Sequence, residues 1–176
     1  MNSTTKDWYP IPIPTPAPGR LAIVPRPRGG DWLEVDVQKW QRLGVDTVVS
    51  LLEQDEADDL ALGREREALD DVGIYFIQCP VSDRGLPQSV TSFQAVAVHL
   101  AECVREAKTV AVHCRQGIGR APLLAIATLM ALGVDKAEAV TAVSAARRWL
   151  VPETAEQLHF LDSLNFAPAL AETTTI

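Results

Sequence analysis

A single α/β domain, built on a central and mainly parallel sheet flanked by helices, is the fold this sequence predicts. Three observations carry the expectation. Short β-branched runs alternate with longer amphipathic stretches, the pattern of right-handed strand-helix-strand crossovers. The last such run leads into the turn His113-Cys114-Arg115-Gln116-Gly117-Ile118-Gly119-Arg120, and an apolar helix follows it directly. Beyond that turn only helices are expected. A length of 176 residues, 47% hydrophobic and 22% charged, suits one domain with a sizeable core rather than two.

The elements follow in order. Residues 1–19 carry Pro10, Pro12, Pro14, Pro16 and Pro18 at every second position, which excludes helix and favours an extended arm, either a strap or a tail, ahead of a domain over 20–176. Leu21-Ala22-Ile23-Val24 reads as a first strand. Asp31-Trp32-Leu33-Glu34 resembles a capping box that starts a helix running to Gly44. Residues 45–52 form the next strand, and an acidic helical connection over 53–72 is expected to break near Gly63. Ile74 to Gln78 gives another strand, 89–107 a long amphipathic helix, and 109–112 the strand before Cys114. Three helices close the chain, over 120–132 up to Gly133, over 135–149 and over 152–164.

The turn carries the chemistry. A strand-to-helix loop points backbone N–H groups inward, and the helix behind it adds unpaired amides and the positive end of its dipole, so anions settle there. Gly117 and Gly119 are expected to supply positive φ and room for a bound group, and Pro122 fits a first helical turn that needs no donor. A thiol in such a field loses its proton readily, which makes Cys114 a nucleophile. Arg120 offers a planar fork for two phosphoryl oxygens, which lysine cannot match. A buried structural cysteine beside an ordinary glycine turn would require all these residues to coincide by accident.

His-Cys, five residues, then Arg resembles the motif of the cysteine-dependent protein tyrosine phosphatases, in particular the dual-specificity branch, similar to the cyclin-dependent-kinase-associated type. The likeness extends over roughly residues 20–165, including Arg147-Arg148 and Gln157-Leu158-His159-Phe160-Leu161. It implies a protein tyrosine phosphatase-like fold and a hydrolase that removes phosphate from phosphotyrosine, and by branch from phosphoserine and phosphothreonine, through a phosphocysteine intermediate. Cys114, Arg120 and the general acid Asp83 would be catalytic. Arg115, Gln116, Gly117, Ile118, Gly119 and Arg120 would bind phosphate. Asp83 sits in Cys79-Pro80-Val81-Ser82-Asp83-Arg84-Gly85-Leu86-Pro87, after a neighbouring strand, so its loop must open toward the same edge of the sheet. An ordinary Asp-Arg-Gly turn is the alternative. His113 supports the loop in the family, while a satisfied core histidine explains it as well. Ala121 departs from the family's usual hydroxyl, which predicts slow release of the thiolate. Glu153 and Gln157 match a region that positions water in some relatives, although a solvent-facing helix explains them equally.

Other classes fit less well. A net charge of -7 argues against nucleic-acid or anionic-membrane partners, and three cysteines and three histidines without paired spacing predict neither metal nor cofactor. The sparse, odd cysteine count and the absence of any bilayer-length apolar run predict a cytoplasmic protein, with a monomer favoured. Cys79 is either a redox partner of Cys114 or an inert thiol. The expected partner is a phosphorylated protein or small phosphoester. The alternatives are a catalytically weak phosphatase-fold module that binds phosphoproteins, or a phosphatase of phosphoinositides or RNA 5′-phosphates. A sulfurtransferase or arsenate reductase fits the glycine and arginine pattern poorly.

Overall fold

The computed structural model of the protein describes residues 10–166. Five strands lie in one sheet in the order β1-β2-β5-β3-β4: β1 Ile11–Ile13, β2 Arg20–Ile23, β3 Thr47–Ser50, β4 Tyr75–Gln78 and β5 Thr109–His113. The last four run parallel, with Leu21 opposite Val110 and Thr47 opposite both Val110 and Tyr75. The mainly parallel sheet expected from the crossovers is therefore present. Its strands read as apolar runs because both faces are covered. On one face α4 (Val90–Arg105) and α5 (Arg120–Ala131) pack against Val110, Val112 and Val49. On the other, α1 (Leu33–Arg42) and α3 (Glu65–Asp70) enclose Val48, Ala111 and Phe76 around Trp40. Leu123, Leu124 and Ile126 of α5 are fully buried, each contributing about 2 kcal/mol by removal from water. That burial fixes the helix behind the Cys114 turn.

The remaining helices are α2 (Gln54–Asp59), α6 (Lys136–Arg147) and α7 (Ala155–Phe160), so the acidic connection does break around Gly63. Three details differ from expectation. Part of the proline arm is a strand, β1, antiparallel to β2 with Pro12 opposite Ala22. The box at Asp31 does not form: Gly30–Trp32 make a 3-10 turn, and Trp32 precedes α1 without a side-chain cap. Asp36 fixes that start instead, by accepting the Arg28 N–H at 2.9 Å and the Arg28 side chain at 2.7 Å. The last helix begins at Ala155 rather than Pro152, because the Thr154 hydroxyl accepts the Gln157 N–H. Among the described residues no helix is long and apolar enough to cross a membrane.

The parallel strands all end at one edge. Arg26 and Arg28 follow β2, Glu53 and Glu56 follow β3, Asp83 follows β4 and Cys114 follows β5. Open α/β sheets bind ligands at this edge.

Candidate active site

Cys114 is buried at the exit of β5, and its Sγ accepts the Gly117 N–H at 3.1 Å. Gly117 has φ +72°, which turns its amide back onto the sulfur and suits a residue without a β-carbon. Gly119 is a different case. Positive φ was expected there too, but φ is -118°. What glycine supplies is space, since a β-carbon would lie 2.9 Å from Glu153 Oε2 and 3.3 Å from Gln157 Oε1. Arg115 and Gln116 are exposed, Ile118 is half-buried, and no side chain caps the start of α5, which leaves its first amides for an anion. Ala121 is buried and brings no hydroxyl to the loop.

Arg120 is buried at the head of α5 and held from two elements. Nη1 donates to Glu56 Oε2 at 2.5 Å and to the Val81 carbonyl at 2.9 Å, while Nη2 donates to Glu56 Oε1 at 3.0 Å and Asp83 Oδ1 at 3.1 Å. Glu56 is itself fixed by a reciprocal box at the head of α2, where the Glu53 N–H donates to its Oε2 at 3.1 Å. The Arg120 hydrogen bonds hold the Glu56 carboxyl below the usual carboxylate range despite its burial. Burial works against the charge on Arg120, but Glu56, followed by the Cys114 thiolate, raises its pKa overall. Glu56 did not emerge from the sequence as a site residue. The signal available was a Glu-x-x-Glu helix start directly after the apolar Leu51-Leu52.

Asp83 reaches the same guanidinium from the loop after β4, with its side chain 64% exposed. Four contacts fasten that loop: Val81 and Asp83 to Arg120, the Ser82 hydroxyl to Glu53 Oε1 at 3.0 Å, and the Gly85 carbonyl to Gln157 Nε2 at 3.0 Å. Gln157 is therefore not on a solvent-facing surface; it is buried, and its Oε1 has no partner among the described residues. Glu153 lies 3.5 Å from Arg84.

His113 is fully buried, with Nε2 2.8 Å from Glu65 Oε1 and its ring beside Trp40. Its Nδ1 has no partner among the described residues. Cys79, Cys103 and Cys114 are all free. Burial pushes the Cys79 thiol up to about 11, so it stays protonated at neutral pH, the form that does not attack a sulfur.

A cysteine and an arginine closing an amide-lined loop at the carboxyl edge of a parallel sheet, with a carboxylate from the loop after β4, define a cysteine-dependent phosphatase. The family described as dual specificity phosphatase, catalytic domain, matches residues 32–165, and the chain belongs to this family of cysteine-dependent protein phosphatases. A solved structure of Tk-PTP in its active form is 31% identical, covers 83% of this chain and 91% of its own, and superposes with a TM-score of 0.69. Kinase associated phosphatase, in a form whose catalytic-site cysteine is replaced by serine, gives a TM-score of 0.81 at 16% identity over 90% of this chain and 94% of its own. A mouse putative dual specificity phosphatase complexed with zinc tungstate gives 0.61 at 20% identity, covering 93% of each chain. No curated protein matches.

Proposed function

We propose that this phosphatase works through Cys114, Arg120 and Asp83 in a two-step exchange at phosphorus. The Cys114 thiolate attacks, the bond from phosphorus to the ester oxygen breaks, and Asp83 gives its proton to the departing oxygen. Asp83, now a carboxylate, takes a proton from water as that water attacks the phosphocysteine; the S–P bond breaks and the thiolate and inorganic phosphate are released. Loop amides and Arg120 stabilise the charge that develops on the equatorial oxygens.

The observation that carries this reading is the pairing around one guanidinium. Glu56 fixes Arg120 from behind at 2.5 and 3.0 Å, while Asp83 occupies an outer donor at 3.1 Å. A phosphate dianion entering the loop competes with the exposed Asp83, not with buried Glu56. It thereby frees the acid for the leaving oxygen.

Phosphotyrosine is the first substrate of this reading, with phosphoserine and phosphothreonine following from the branch. The catalytic unit runs over 20–176 with the arm at 1–19, and strand β1 supports reading part of that arm as a strap. Three free cysteines support a cytoplasmic setting, and we take the chain to act as a monomer.

Leaving-group dependence is the test. Asp83→Asn should lose about 100-fold on an alkyl phosphate, which needs its proton, and far less on p-nitrophenyl phosphate, which does not. Equal losses on both would take Asp83 out of the role. Cys114→Ser should abolish turnover and the trapped phosphocysteine, and retained turnover would overturn the nucleophile assignment.

A further inference from the structure

Asp83 lies in a tight turn from Ser82 to Gly85, closed by the Gly85 N–H donating to the Ser82 carbonyl at 2.8 Å. The arm that leads into this turn is fastened to the sheet. The Cys79 and Val81 N–H groups donate to the carbonyls of Ser50 and Leu51, and the Ser82 hydroxyl reaches Glu53. The arm that leaves it depends on another element. Among the described residues, the hydrogen bonds and ion pairs that tie Arg84 and Gly85 to anything outside the turn both come from the start of α7. Glu153 lies 3.5 Å from the Arg84 side chain, and Gln157 Nε2 donates to the Gly85 carbonyl at 3.0 Å. Arg84 itself has φ +56°, a left-handed conformation that a residue with a β-carbon keeps only where its surroundings hold it.

The start of α7 is well suited to hold something. Gln157 is fully buried, its N–H is capped by the Thr154 hydroxyl at 3.1 Å, and Phe160 packs edge-on against Phe93 of α4 with ring centroids 5.5 Å apart. The same side chains border the phosphate loop, since a β-carbon on Gly119 would lie 2.9 Å from Glu153 Oε2 and 3.3 Å from Gln157 Oε1. One buried amide thus turns its nitrogen to the acid loop and its oxygen to the phosphate loop. The tie matters most once substrate is bound. Among the described residues the Asp83 carboxylate has a single partner, Arg120, and that is the donor an entering phosphate takes. From then on the turn alone places the acid. Proton transfer requires the two heavy atoms to approach to roughly 3 Å, and a misplacement of about 1 Å is enough to slow the step severely.

We infer that Gln157 is a positioning residue for the general acid: its Nε2, with the Glu153–Arg84 pair beside it, holds the turn from Ser82 to Gly85 so that Asp83 stays within reach of the leaving oxygen after phosphate has taken Arg120. The assignment rests on the reading of Asp83 as that acid. It places Gln157 in the first step, acting through Asp83, rather than on the water of the second.

The test is the ratio of kcat/KM on p-nitrophenyl phosphate to kcat/KM on an alkyl phosphate, measured within each variant so that a general loss of activity cancels. Gln157→Met fills a similar volume without the donor to Gly85, and Arg84→Ala removes an exposed side chain. The ratio should rise about tenfold in Gln157→Met and about threefold in Arg84→Ala, both short of the rise in Asp83→Asn. Adding Gln157→Met to Asp83→Asn should move the ratio no further, because the tie acts through the acid. An unchanged ratio in Gln157→Met overturns the inference, as does a further rise in the double variant. So does a fall in kcat on both substrates with kcat/KM preserved, which would assign Gln157 to hydrolysis of the phosphocysteine. Should Gln157→Met fail to fold, Arg84→Ala decides, and an unchanged ratio there overturns the inference. A leaving-group bias in Asp83→Asn but not in Gln157→Met removes the positioning role alone. If Asp83→Asn shows no bias, the acid reading falls with it.

Discussion

Arg120 ends the phosphate loop and Arg147 abuts it at Gly117, yet carboxylates meet both terminal nitrogens of the first, and among the described residues none meets the second. Arg120 is part of the framework. Glu56 aligns it before any ligand arrives, so little rotational freedom is lost when phosphate binds. Among the described residues none aligns Arg147 in this way, and its Nε is buried without an acceptor. Two residues of one type, within reach of one loop, thus differ in how far the fold itself has oriented them.

The comparison can be broken at Arg120 first. Arg120→Lys keeps the charge but loses the fork that spans Glu56 and the phosphate, and kcat/KM on p-nitrophenyl phosphate should fall by about 1,000-fold. A loss under about tenfold would mean that alignment by Glu56 is dispensable. Glu56→Gln should leave Arg120 buried without its main counter-charge and lower stability by about 3 kcal/mol, read as a fall in denaturant midpoint. The same pair supplies a pH signature. Because Arg120 holds the folded Glu56 carboxyl below its unfolded value of about 4.3, its stabilisation is complete above that pH and is lost as acid carries the solution through the lower folded value. The stability gap between wild type and Glu56→Gln should therefore narrow below about pH 4. Gly117→Ala is the gentlest probe, since it adds strain of about 1 kcal/mol at φ +72° next to both Cys114 and Arg147. It should lower stability slightly and weaken binding of inorganic phosphate to the loop; unchanged binding would show that the Gly117 amide need not face the sulfur.

Much of this was legible in the sequence because local pattern and global fold agree. The strand before Cys114 is apolar on both faces, so its alternation with helices identified a parallel sheet, and the loop followed from His113 to Arg120. Asp83 was legible as a candidate for the same reason: its strand neighbours the central pair, and the exits of parallel strands share an edge. Glu56 was not, and Arg147 was legible only as one of a pair with Arg148. An acidic residue in an acidic helix looks like solvated surface until a partner 64 residues away closes on it. Arg147 stands beside Arg148 in the sequence, but Arg147 is drawn against the loop while Arg148 turns left-handed at φ 53° and stays exposed. Gly119 shows the limit of residue type, since glycine there answers to Glu153 and Gln157 across the site rather than to its own backbone.

Strand β1 settles a matter remote from catalysis. Consecutive residues of a strand send their backbone groups to opposite sides, so Ile11 and Ile13 face β2 with their amides while Pro12 turns outward a nitrogen that carries no hydrogen. The sheet thus ends, on that side, in a margin poor in donors to which a foreign strand has little to attach. Proline at every second position, puzzling as a string of letters, is the chemistry of a selvedge that keeps the fabric from being extended by its neighbours.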